Sequence, residues 1–359
     1  MKILFAAHDP GGYNLLEPLI EELVFNEQAR ISLALIGPAL SKAKKNINLV
    51  PHLVDISTFS VQGYENELDV DPLEYQKIFR IIDPDKVFVS SSINSNIERY
   101  SIKFAQQFGK ENFVYIDSWT GETIRFSNSK VSVVPNNVVV CDSFMAEPYR
   151  TLFSEKQTSI HIVGNVHLEK LYKMHIFTRN AAANKTVVRI LFVTENIAHY
   201  FPEIAVNEFS MISEIMASYT GNKDVQISVR PHPLESRERW EHFITLNQDF
   251  HPKLKLLLDV STSIFAAINN SDLVIGVSTM ALIESSILGI PAFSYQVGLS
   301  DPQMLYIPFS QYNISIIKNK NQINDLIEDN EQIIGRNKSF DFPFLGAKNK
   351  IFSLLNIPF

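Results

Sequence analysis

Residues 271–295, SDLVIGVSTMALIESSILGIPAFSY, contain a complete strand–helix–strand unit. The runs LVIGV and IPAFSY are short, apolar and rich in β-branched or aromatic residues, as buried strands are. The segment between them, MALIESSILG, has helical spacing of its apolar residues, and Gly289 and Pro291 end that helix. A helix between two buried strands predicts a parallel sheet with helices on its faces.

The rest of the chain repeats this alternation. Helical segments alternate with predicted strands at 2–8, 31–37, 53–57, 86–91, 112–117, 137–143, 160–165, 187–194, 225–229, 254–259, 273–277, 290–295 and 314–318. A polar stretch at 169–186 interrupts the pattern, and we interpret it as a linker. The predicted fold class is α/β, with two doubly wound domains facing a cleft. They are an N-terminal domain of residues 1–168 and a C-terminal domain of residues 187–340. Residues 341–359 are predicted to form a closing helix, with membrane contact as the alternative.

Composition excludes several classes of protein. The chain has 359 residues, of which 45% are hydrophobic and 20% charged, and its formal net charge is −7. This charge argues against a nucleic-acid-binding protein, because such proteins carry a basic face. Cys141 is the single cysteine, so no internal disulfide can form, and we expect the cytoplasm as the compartment. We expect no secretory signal, and no apolar run reaches the ~20 residues that span a bilayer, so we expect at most peripheral contact with the inner face of the cell membrane.

The first candidate site is HDPGGYN, residues 8–14, at the end of the first predicted strand. Gly11 and Gly12 permit a tight turn and a close approach of the backbone to a ligand. Asn14 can cap the helix that follows, whose first N–H groups point into the turn. His8 stands at the mouth of this loop and is a candidate base. The alternative is a plain strand-to-helix turn that binds nothing.

A second candidate site is YIDSWTGETIRF, residues 115–126. Asp117 ends an apolar strand, and Trp119 and Arg125 follow it. A carboxylate in this position can act as a general base that takes a proton from an attacking hydroxyl. The alternative is a helix-capping aspartate beside a structural tryptophan.

Two loops of the second domain carry polar side chains at strand ends. Thr194, Glu195 and Asn196 follow the strand RILFV, where they either line a ligand site or cap the next helix. In the stretch RPHP two prolines stiffen the turn. Arg230 and His232 can therefore supply charge-assisted hydrogen bonds to phosphate oxygens. The alternative is a surface turn without a ligand.

The strand–helix–strand unit supplies a third polar loop. Ser278 and Thr279 precede its helix, and their hydroxyls together with the first N–H groups of the helix form a possible phosphate site. Glu284 lies about one and a half turns into the helix, where its carboxylate can bond a ribose hydroxyl. The alternative is a serine cap and a solvent-facing glutamate. The RPHP loop favours the phosphate interpretation, because it offers a partner for the same ligand.

These loops give the chain a resemblance to the two-domain GT-B glycosyltransferases, above all to bacterial enzymes that build capsule and lipopolysaccharide. The 271–295 unit is similar to the family's donor-binding strand–helix–strand, and VRPHP followed by VST resembles the HP and serine/threonine motifs of bacterial sialyltransferases. The resemblance implies two Rossmann-like domains, with the donor nucleotide on the C-terminal one and the acceptor on the N-terminal one. It also implies that His232, Ser278 and Thr279 hold the donor phosphate.

The general base of that family is an acidic residue of the N-terminal domain, and Asp117 is the best match by position. One feature departs from the family pattern. The sialyltransferase base lies in an acidic–acidic–glycine motif, whereas Ser118 and Trp119 follow Asp117 here.

The function indicated by these features is an inverting glycosyltransferase that needs no metal and no other cofactor. Its partners would be a nucleotide-sugar and a glycan or lipid-linked acceptor. The sequence has no HExxH motif and no Cys/His ligand cluster, and we interpret DVD at 69–71 as the start of a loop. Three alternatives stay open: a UDP-N-acetylglucosamine 2-epimerase, a CDP-polyol phosphotransferase and a non-catalytic nucleotide-sugar-binding subunit. The epimerase would use His8, Asp9, Asp117 and Glu195 as its acid and base candidates.

Overall fold

A computed structural model describes residues 1–56, 60–62, 68–176, 187–202, 204, 206–233, 235–248, 250–299, 307–328 and 344–358. The chain divides into two compact units. The first unit comprises Met1–Lys170 together with Pro343–Phe359, and the second comprises Leu171–Phe342.

Within the described residues, the first unit contains a parallel sheet of six strands and a separate antiparallel pair. Its strands are β1 (Lys2–Ala7), β2 (Arg30–Leu35), β3 (Ser60–Gln62), β4 (Leu68–Val70), β5 (Lys86–Val89), β6 (Glu111–Tyr115), β7 (Asn137–Val140) and β8 (Ser159–Ile162). Its helices are α1 (Pro10–Phe25), α2 (Gly37–Ala43), α3 (Pro72–Ile82), α4 (Ile97–Gln107), α5 (Ser143–Leu152) and the start of α6 (Val166–Ile176), which continues into the second unit. The strand order of the parallel sheet is β2-β1-β5-β6-β7-β8, and β3 pairs with β4.

The described part of the second unit also contains a parallel sheet of six strands. They are β9 (Val187–Val193), β10 (Asp224–Arg230), β11 (Leu254–Leu258), β12 (Leu273–Gly276), β13 (Ala292–Tyr295) and β14 (Ser315–Ile317). The helices are α7 (Ile197–Tyr200), α8 (Glu208–Ser218), α9 (Arg237–Asn247), α10 (Ile264–Asn269), α11 (Met280–Ile287) and α12 (Gln322–Glu328), and α13 (Ala347–Leu354) follows in the first unit. The strand order is β11-β10-β9-β12-β13-β14.

The strand order of each sheet identifies where a ligand would bind. In the first sheet the chain passes from β1 to β2 on one side and later to β5 on the other. In the second it passes from β9 to β10 and β11, and later to β12 on the opposite side of β9. Ligands of doubly wound sheets bind outside the carboxyl ends of the strands at this switch point. The expected ligand positions are therefore the loops after β1 and β5 in the first sheet and the loops after β9 and β12 in the second.

The α/β fold class predicted from the sequence is confirmed, and most predicted strands are present. The strand predicted at 53–57 is wrong for its described part. Leu53 forms an isolated bridge to Leu33, and no strand continues from it through residue 56. A 3-10 turn at Val50–His52 brings the chain to β2 for a single pairing, which is why the apolar letters suggested a strand.

The interpretation of DVD as a loop start is also wrong. Asp69 lies in β4 and is buried, and Asp71 is the N-cap of α3, where its carboxylate accepts from two backbone N–H groups. Asp69 accepts from the backbone N–H of Asn96 at 3.1 Å and from its side-chain amide at 2.8 Å. Both carboxylates therefore hold local structure.

The predicted linker and the predicted C-terminal helix are both helical in part. Residues 169–176 of the predicted linker continue α6, and residues 177–186 lie outside the described part. Helix α13 packs into the core of the first unit through Ala347, Ile351 and Phe352. Just before it, the Gly346 N–H donates to Glu169 Oε1 at 3.2 Å. No helix in the described residues is long and apolar enough to cross a bilayer.

Candidate functional site

The turn after β1 is pressed against the ends of β5 and β6. Helix α1 begins at Pro10, so Gly11 and Gly12 belong to its first turn. A Cβ on Gly11 would lie 2.8 Å from Asp117 Oδ2, and one on Gly12 would lie 2.6 Å from Ser90 Oγ. A side chain at either position would therefore have to displace the side chain of Asp117 or of Ser90.

Asp117 lies at the carboxyl end of β6 and is held by two donors. Its Oδ1 accepts from Arg125 Nη1 at 2.9 Å and from Ser91 Oγ at 3.2 Å. The side chain keeps 17% of its surface exposed. Burial raises the pKa of the Asp117 carboxyl, while the charge of Arg125 opposes that rise. Its described side-chain bonds orient the carboxyl group and do not cap a helix.

His8 is buried, so the prediction that it stands at the mouth of the loop is wrong. The residue is 1% exposed, and its Nδ1 lies 2.7 Å from Asp9 Oδ1. Its backbone N–H donates to Glu98 Oε1 at 2.9 Å. The β1–α1 turn folds inward here, because the buried strand continues directly into a helix whose N-cap is Asp9.

Glu98 is the functional candidate that sequence reasoning missed. It lies on α4 and is 2% exposed. Its Oε1 accepts from His8 and from Ser90 Oγ, whereas its Oε2 is buried without a hydrogen-bond partner in the described structure. Burial and the nearby charge of Asp9 raise the pKa of Glu98 to about 7. A signal was present in the sequence, since Glu98 lies four and seven residues before the apolar Ile102 and Ala105, on the same buried face of α4.

Asn14 and Trp119 have roles in local structure. Asn14 lies inside α1, so the prediction that it caps this helix is wrong, and its amide oxygen accepts from Lys42 Nζ at 2.5 Å. The helix begins earlier because Pro10 is well suited to a first helical position. Trp119 is buried and donates from Nε1 to Asp142 Oδ2 at 3.1 Å. Asp142 in turn caps α5.

In the second unit, Glu195 bonds to the turn after β12. Glu195 Oε2 accepts from the N–H of Ser278 at 2.8 Å and from the N–H of Val277 at 3.0 Å. Burial raises the pKa of Glu195 to about 7, although these two hydrogen bonds oppose the rise. Ser278 is 1% exposed, and its Oγ has no hydrogen-bond partner among the described residues. The structure thus brings together Glu195 and Ser278 at the switch point.

Thr194 and His232 also meet in this unit. The backbone N–H of His232 donates to Thr194 Oγ1 at 2.8 Å and to Glu235 Oε2 at 2.8 Å. Thr194 Oγ1 bonds to the same carboxylate, and Trp240 Nε1 donates to Glu235 Oε1 at 3.1 Å. Burial lowers the pKa of His232, with the Glu235 charge opposing. His232 is therefore favoured as a neutral imidazole, which can donate one hydrogen bond.

Arg230 forms an ion pair with Asp259 in the structure and also donates to Ser261 O at 3.2 Å. A phosphate would have to share this guanidinium with Asp259. Thr279 is the N-cap of α11, and its Oγ1 accepts from the Ala281 N–H at 3.3 Å.

Asn196 and Glu284 complete the predicted set. Asn196 has a left-handed backbone, with φ 58°, which asparagine tolerates better than most residues. Glu284 is 8% exposed, so the alternative of a solvent-facing side chain is wrong. All residues of α11 from Ala281 to Ile287 are buried, so the helix is covered on every side and Glu284 is buried with it.

A pocket of about 330 Å³ lies on the β10 side of the same loops. Its lining includes Asn196, His199, Glu208, Glu235 and Arg239. The volume is in the range of small-molecule sites, and Phe209 and Trp240 add apolar surface to the polar lining. Among the residues that the structure describes, no group of three or more His, Cys, Asp or Glu side chains could hold a metal ion.

Comparison with known proteins gives the fold. No family model matches the chain, and no curated protein matches its sequence. The chain is similar in structure to the UDP-GlcNAc 2-epimerase from Neisseria meningitidis bound to UDP-GlcNAc, with a TM-score of 0.67 and 12% identity over 99% of this chain and 100% of that chain. The UDP-GlcNAc 2-epimerase from Methanocaldococcus jannaschii gives a TM-score of 0.65 and 14% identity over 99% of this chain and 100% of that chain.

GT-B glycosyltransferases are also among the similar structures. The glycosyltransferase SnogD from Streptomyces nogalater gives a TM-score of 0.52 and 10% identity over 99% of each chain. At these identities the similarity establishes the architecture. The chain has two α/β domains of the GT-B type, as its sequence predicted.

Proposed function

We propose that the chain is an inverting, metal-independent glycosyltransferase. It would transfer a sugar from a nucleotide-sugar to a glycan or lipid-linked acceptor of a bacterial surface polysaccharide. The observation that carries this proposal is the state of Asp117. Its carboxyl lies at a strand end beside the first turn of α1, is oriented by Arg125 and Ser91, and has a raised pKa. Such a carboxylate is suited to accept a proton from a sugar hydroxyl.

The proposed reaction balances without a cofactor. The acceptor hydroxyl gives its proton to Asp117 while its oxygen forms a bond to the anomeric carbon. The bond from that carbon to the donor phosphate breaks, and the phosphate oxygen keeps the electron pair. Attack from the opposite face inverts the anomeric centre. In the second unit, the Ser278 hydroxyl and the His232 imidazole would donate hydrogen bonds to the departing phosphate and so stabilise its charge.

A 2-epimerase acting on a UDP-sugar is the second candidate. The structural similarity favours it, because the UDP-GlcNAc 2-epimerase structures give TM-scores of 0.61–0.67 and the glycosyltransferases 0.52–0.59. The first unit also holds more proton-transfer groups than a single base requires, since Asp9 and Glu98 lie close to each other near His8. Inversion at a sugar C2 needs such groups, because the C2–H bond must be broken and remade.

Deuterium exchange separates the two candidates. We expect UDP-GlcNAc, incubated with the protein in D₂O without an acceptor, to keep hydrogen at C2. An epimerase would return a solvent deuteron to C2, because the proton removed in the reaction mixes with water. The C2–H signal in proton NMR measures this directly. Deuterium at C2, together with the appearance of the 2-epimer, would replace the transferase proposal with the epimerase.

The nucleotide site is tested with Ser278→Ala. Among CMP, CDP, UDP, GDP and dTDP, tested in EDTA, we expect one to stabilise the wild-type protein by ~2.7 kcal/mol at about 100 times its Kd. In Ser278→Ala we expect about tenfold weaker binding, from the loss of one hydrogen bond to phosphate. Stability without nucleotide should stay equal or rise, because the deleted hydroxyl has no partner to lose.

Ser286→Ala, in the helix α11 that follows Ser278, is the matched control. Ser286 Oγ donates to Tyr312 O at 2.5 Å, so its removal should lower stability and leave nucleotide affinity unchanged. Thermal unfolding and calorimetric titration give both quantities. If no nucleotide shifts the wild-type protein, or if Ser278→Ala binds as tightly as the wild type, the site is assigned to the wrong turn.

A further inference from the structure

The turn between β12 and α11 already holds a carboxyl group that belongs to the protein itself. Two successive backbone N–H groups, those of Val277 and Ser278, converge on Glu195 Oε2 at 3.0 and 2.8 Å. Successive N–H groups that share one oxygen are a geometry by which proteins bind phosphate. The Ser278 hydroxyl, buried and without a described partner, adds a further donor at the same turn. A carboxylate thus takes the donors that a phosphate would use.

We infer that Glu195 is an internal competitor for the nucleotide phosphate. A phosphate binds to the turn only when the Glu195 carboxylate gives up its bonds from the two N–H groups. In this exchange the carboxylate takes up one proton from solvent. The inference rests on the proposed function, because it assumes that a nucleotide binds to this turn. It adds a consequence that the proposed function does not contain: nucleotide affinity falls as the pH rises above neutrality.

The balance of the exchange is simple. Before binding, the Glu195 carboxylate accepts the N–H groups of Val277 and Ser278. After binding, a phosphate oxygen accepts them, and the carboxylate carries a proton as a neutral carboxyl group. No covalent bond to carbon or phosphorus changes. Protonation is favoured because two anions close together in a partly buried site repel each other.

The charges around Glu195 support this direction. From α8, Glu208 Oε1 accepts the Glu195 N–H at 2.9 Å, and its negative charge adds to the burial that raises the pKa of Glu195 to about 7. Residues 277–280 of the β12–α11 turn contain no ionisable side chain. From the loop after β10, Glu235 bonds to Thr194, and His232 lies in the same loop.

The cation of the neighbouring strand is engaged elsewhere. Arg230 pairs with Asp259. A phosphate arriving at the turn adds negative charge and raises the pKa of Glu195 further. Because the pKa of Glu195 is then higher in the complex than before binding, nucleotide affinity is greatest below about pH 7 and decreases above it.

The test compares the wild type with Glu195→Gln. The probe is whichever of CMP, CDP, UDP, GDP or dTDP binds the wild type, and Kd is measured by calorimetry from pH 6 to pH 8.5. The ionisation of the nucleotide affects both proteins equally, so the ratio of wild-type to variant Kd reports Glu195 alone. We expect a ratio near one at pH 6. Above pH 7 the ratio should rise about tenfold per pH unit, to roughly thirtyfold at pH 8.5.

A control variant and a measurement of proton uptake complete the test of Glu195. Glu241→Gln, on the exposed side of α9 where Glu241 pairs with Arg237, should give a ratio near one at every pH. If Glu195→Gln does not fold, titration of the wild type at pH 8 in two buffers of different ionisation enthalpy replaces it. We expect about one proton to be taken up per nucleotide, because the nucleotide phosphate, with its second pKa near ~6, is already ionised there.

The outcomes separate this inference from the function on which it rests. If a nucleotide binds but the ratio of wild-type to variant Kd does not change with pH, or no proton is taken up, Glu195 does not compete with the phosphate. The nucleotide site itself is then retained. No binding to either protein at any pH overturns the nucleotide site, and the competitor with it.

Discussion

Asp117→Asn is expected to lower turnover by about 10²–10⁴-fold, the range that a general base contributes. The asparagine keeps the size of the side chain and an oxygen that can accept from Arg125 and Ser91. What it loses is the ability to take a proton. Nucleotide affinity should stay within a factor of two of the wild-type value, as an order-of-magnitude expectation, because Asp117 lies in the first unit and the phosphate donors lie in the second. The rate of nucleotide release from the donor gives the first quantity, and calorimetric titration gives the second.

Asp85→Asn is the control for this change. Asp85 lies just before β5, at the amino edge of the same sheet, where its Oδ2 accepts from the Lys2 N–H at 2.7 Å. Turnover in this variant should match the wild type. In the wild type, turnover should also rise with pH through the pKa of Asp117, which lies above its ordinary 3.8, because only the ionised carboxyl can accept the proton. An Asp117→Asn protein that retains normal turnover removes Asp117 from the reaction.

The strands were predictable because both sheets are parallel and covered by helices. A strand buried on both faces has a continuous apolar run, such as ILFAA in β1, and such a run is visible in the sequence. The failure at 53–57 has the same origin. Leu53 and Ile56 are apolar because they contact the core, and one bridge to Leu33 satisfies that need without a strand. Composition reports burial, and burial does not specify hydrogen-bond pairing.

The candidate site was predictable where it depends on strand ends and unpredictable where it depends on distant contacts. Asp117, Glu195 and Ser278 each follow an apolar strand directly, so their positions at the sheet edge could be derived from the sequence. Glu98 could not be found in this way, because it lies in the first turn of a helix and reaches His8 across 90 positions of sequence. The bond from Glu195 to the β12–α11 turn likewise spans 83 positions. Which polar groups satisfy each other inside a fold depends on strand order, and that order was not visible in the local pattern.

Glu98 gives the second large prediction, which concerns stability. Its pKa is raised to about 7 from 4.5, so the folded protein holds the proton over a pH range in which the unfolded chain releases it. The contribution of Glu98 to stability is therefore fully present below about pH 4.5 and is lost as the pH rises to about 7. A shift of this size corresponds to about 3 kcal/mol of unfolding free energy. In Glu98→Gln that loss should disappear, because the amide has no charge to bury.

The measurement is the difference in unfolding free energy between wild type and Glu98→Gln, by urea unfolding at pH values from 4.5 to 8. The chain has two tryptophans, Trp119 in the first unit and Trp240 in the second, so a Trp240→Phe background makes fluorescence report the unit that contains Glu98. The glutamine places N–H donors where Oε2 lacks a partner, at a cost of ~1–3 kcal/mol that does not depend on pH.

Because that cost is the same at every pH, it does not affect how the difference in unfolding free energy between wild type and Glu98→Gln varies with pH. That variation identifies the buried carboxyl group. Glu74→Gln changes a half-buried residue of α3 whose partner is Lys77, and the same difference for this variant should vary by less than ~0.5 kcal/mol across the same pH range. Parallel curves for wild type and Glu98→Gln would mean that Glu98 is ionised at little cost. In that case Oε2 must find a donor in solution, and the first unit would hold a full negative charge beneath the turn that carries His8 and Asp9.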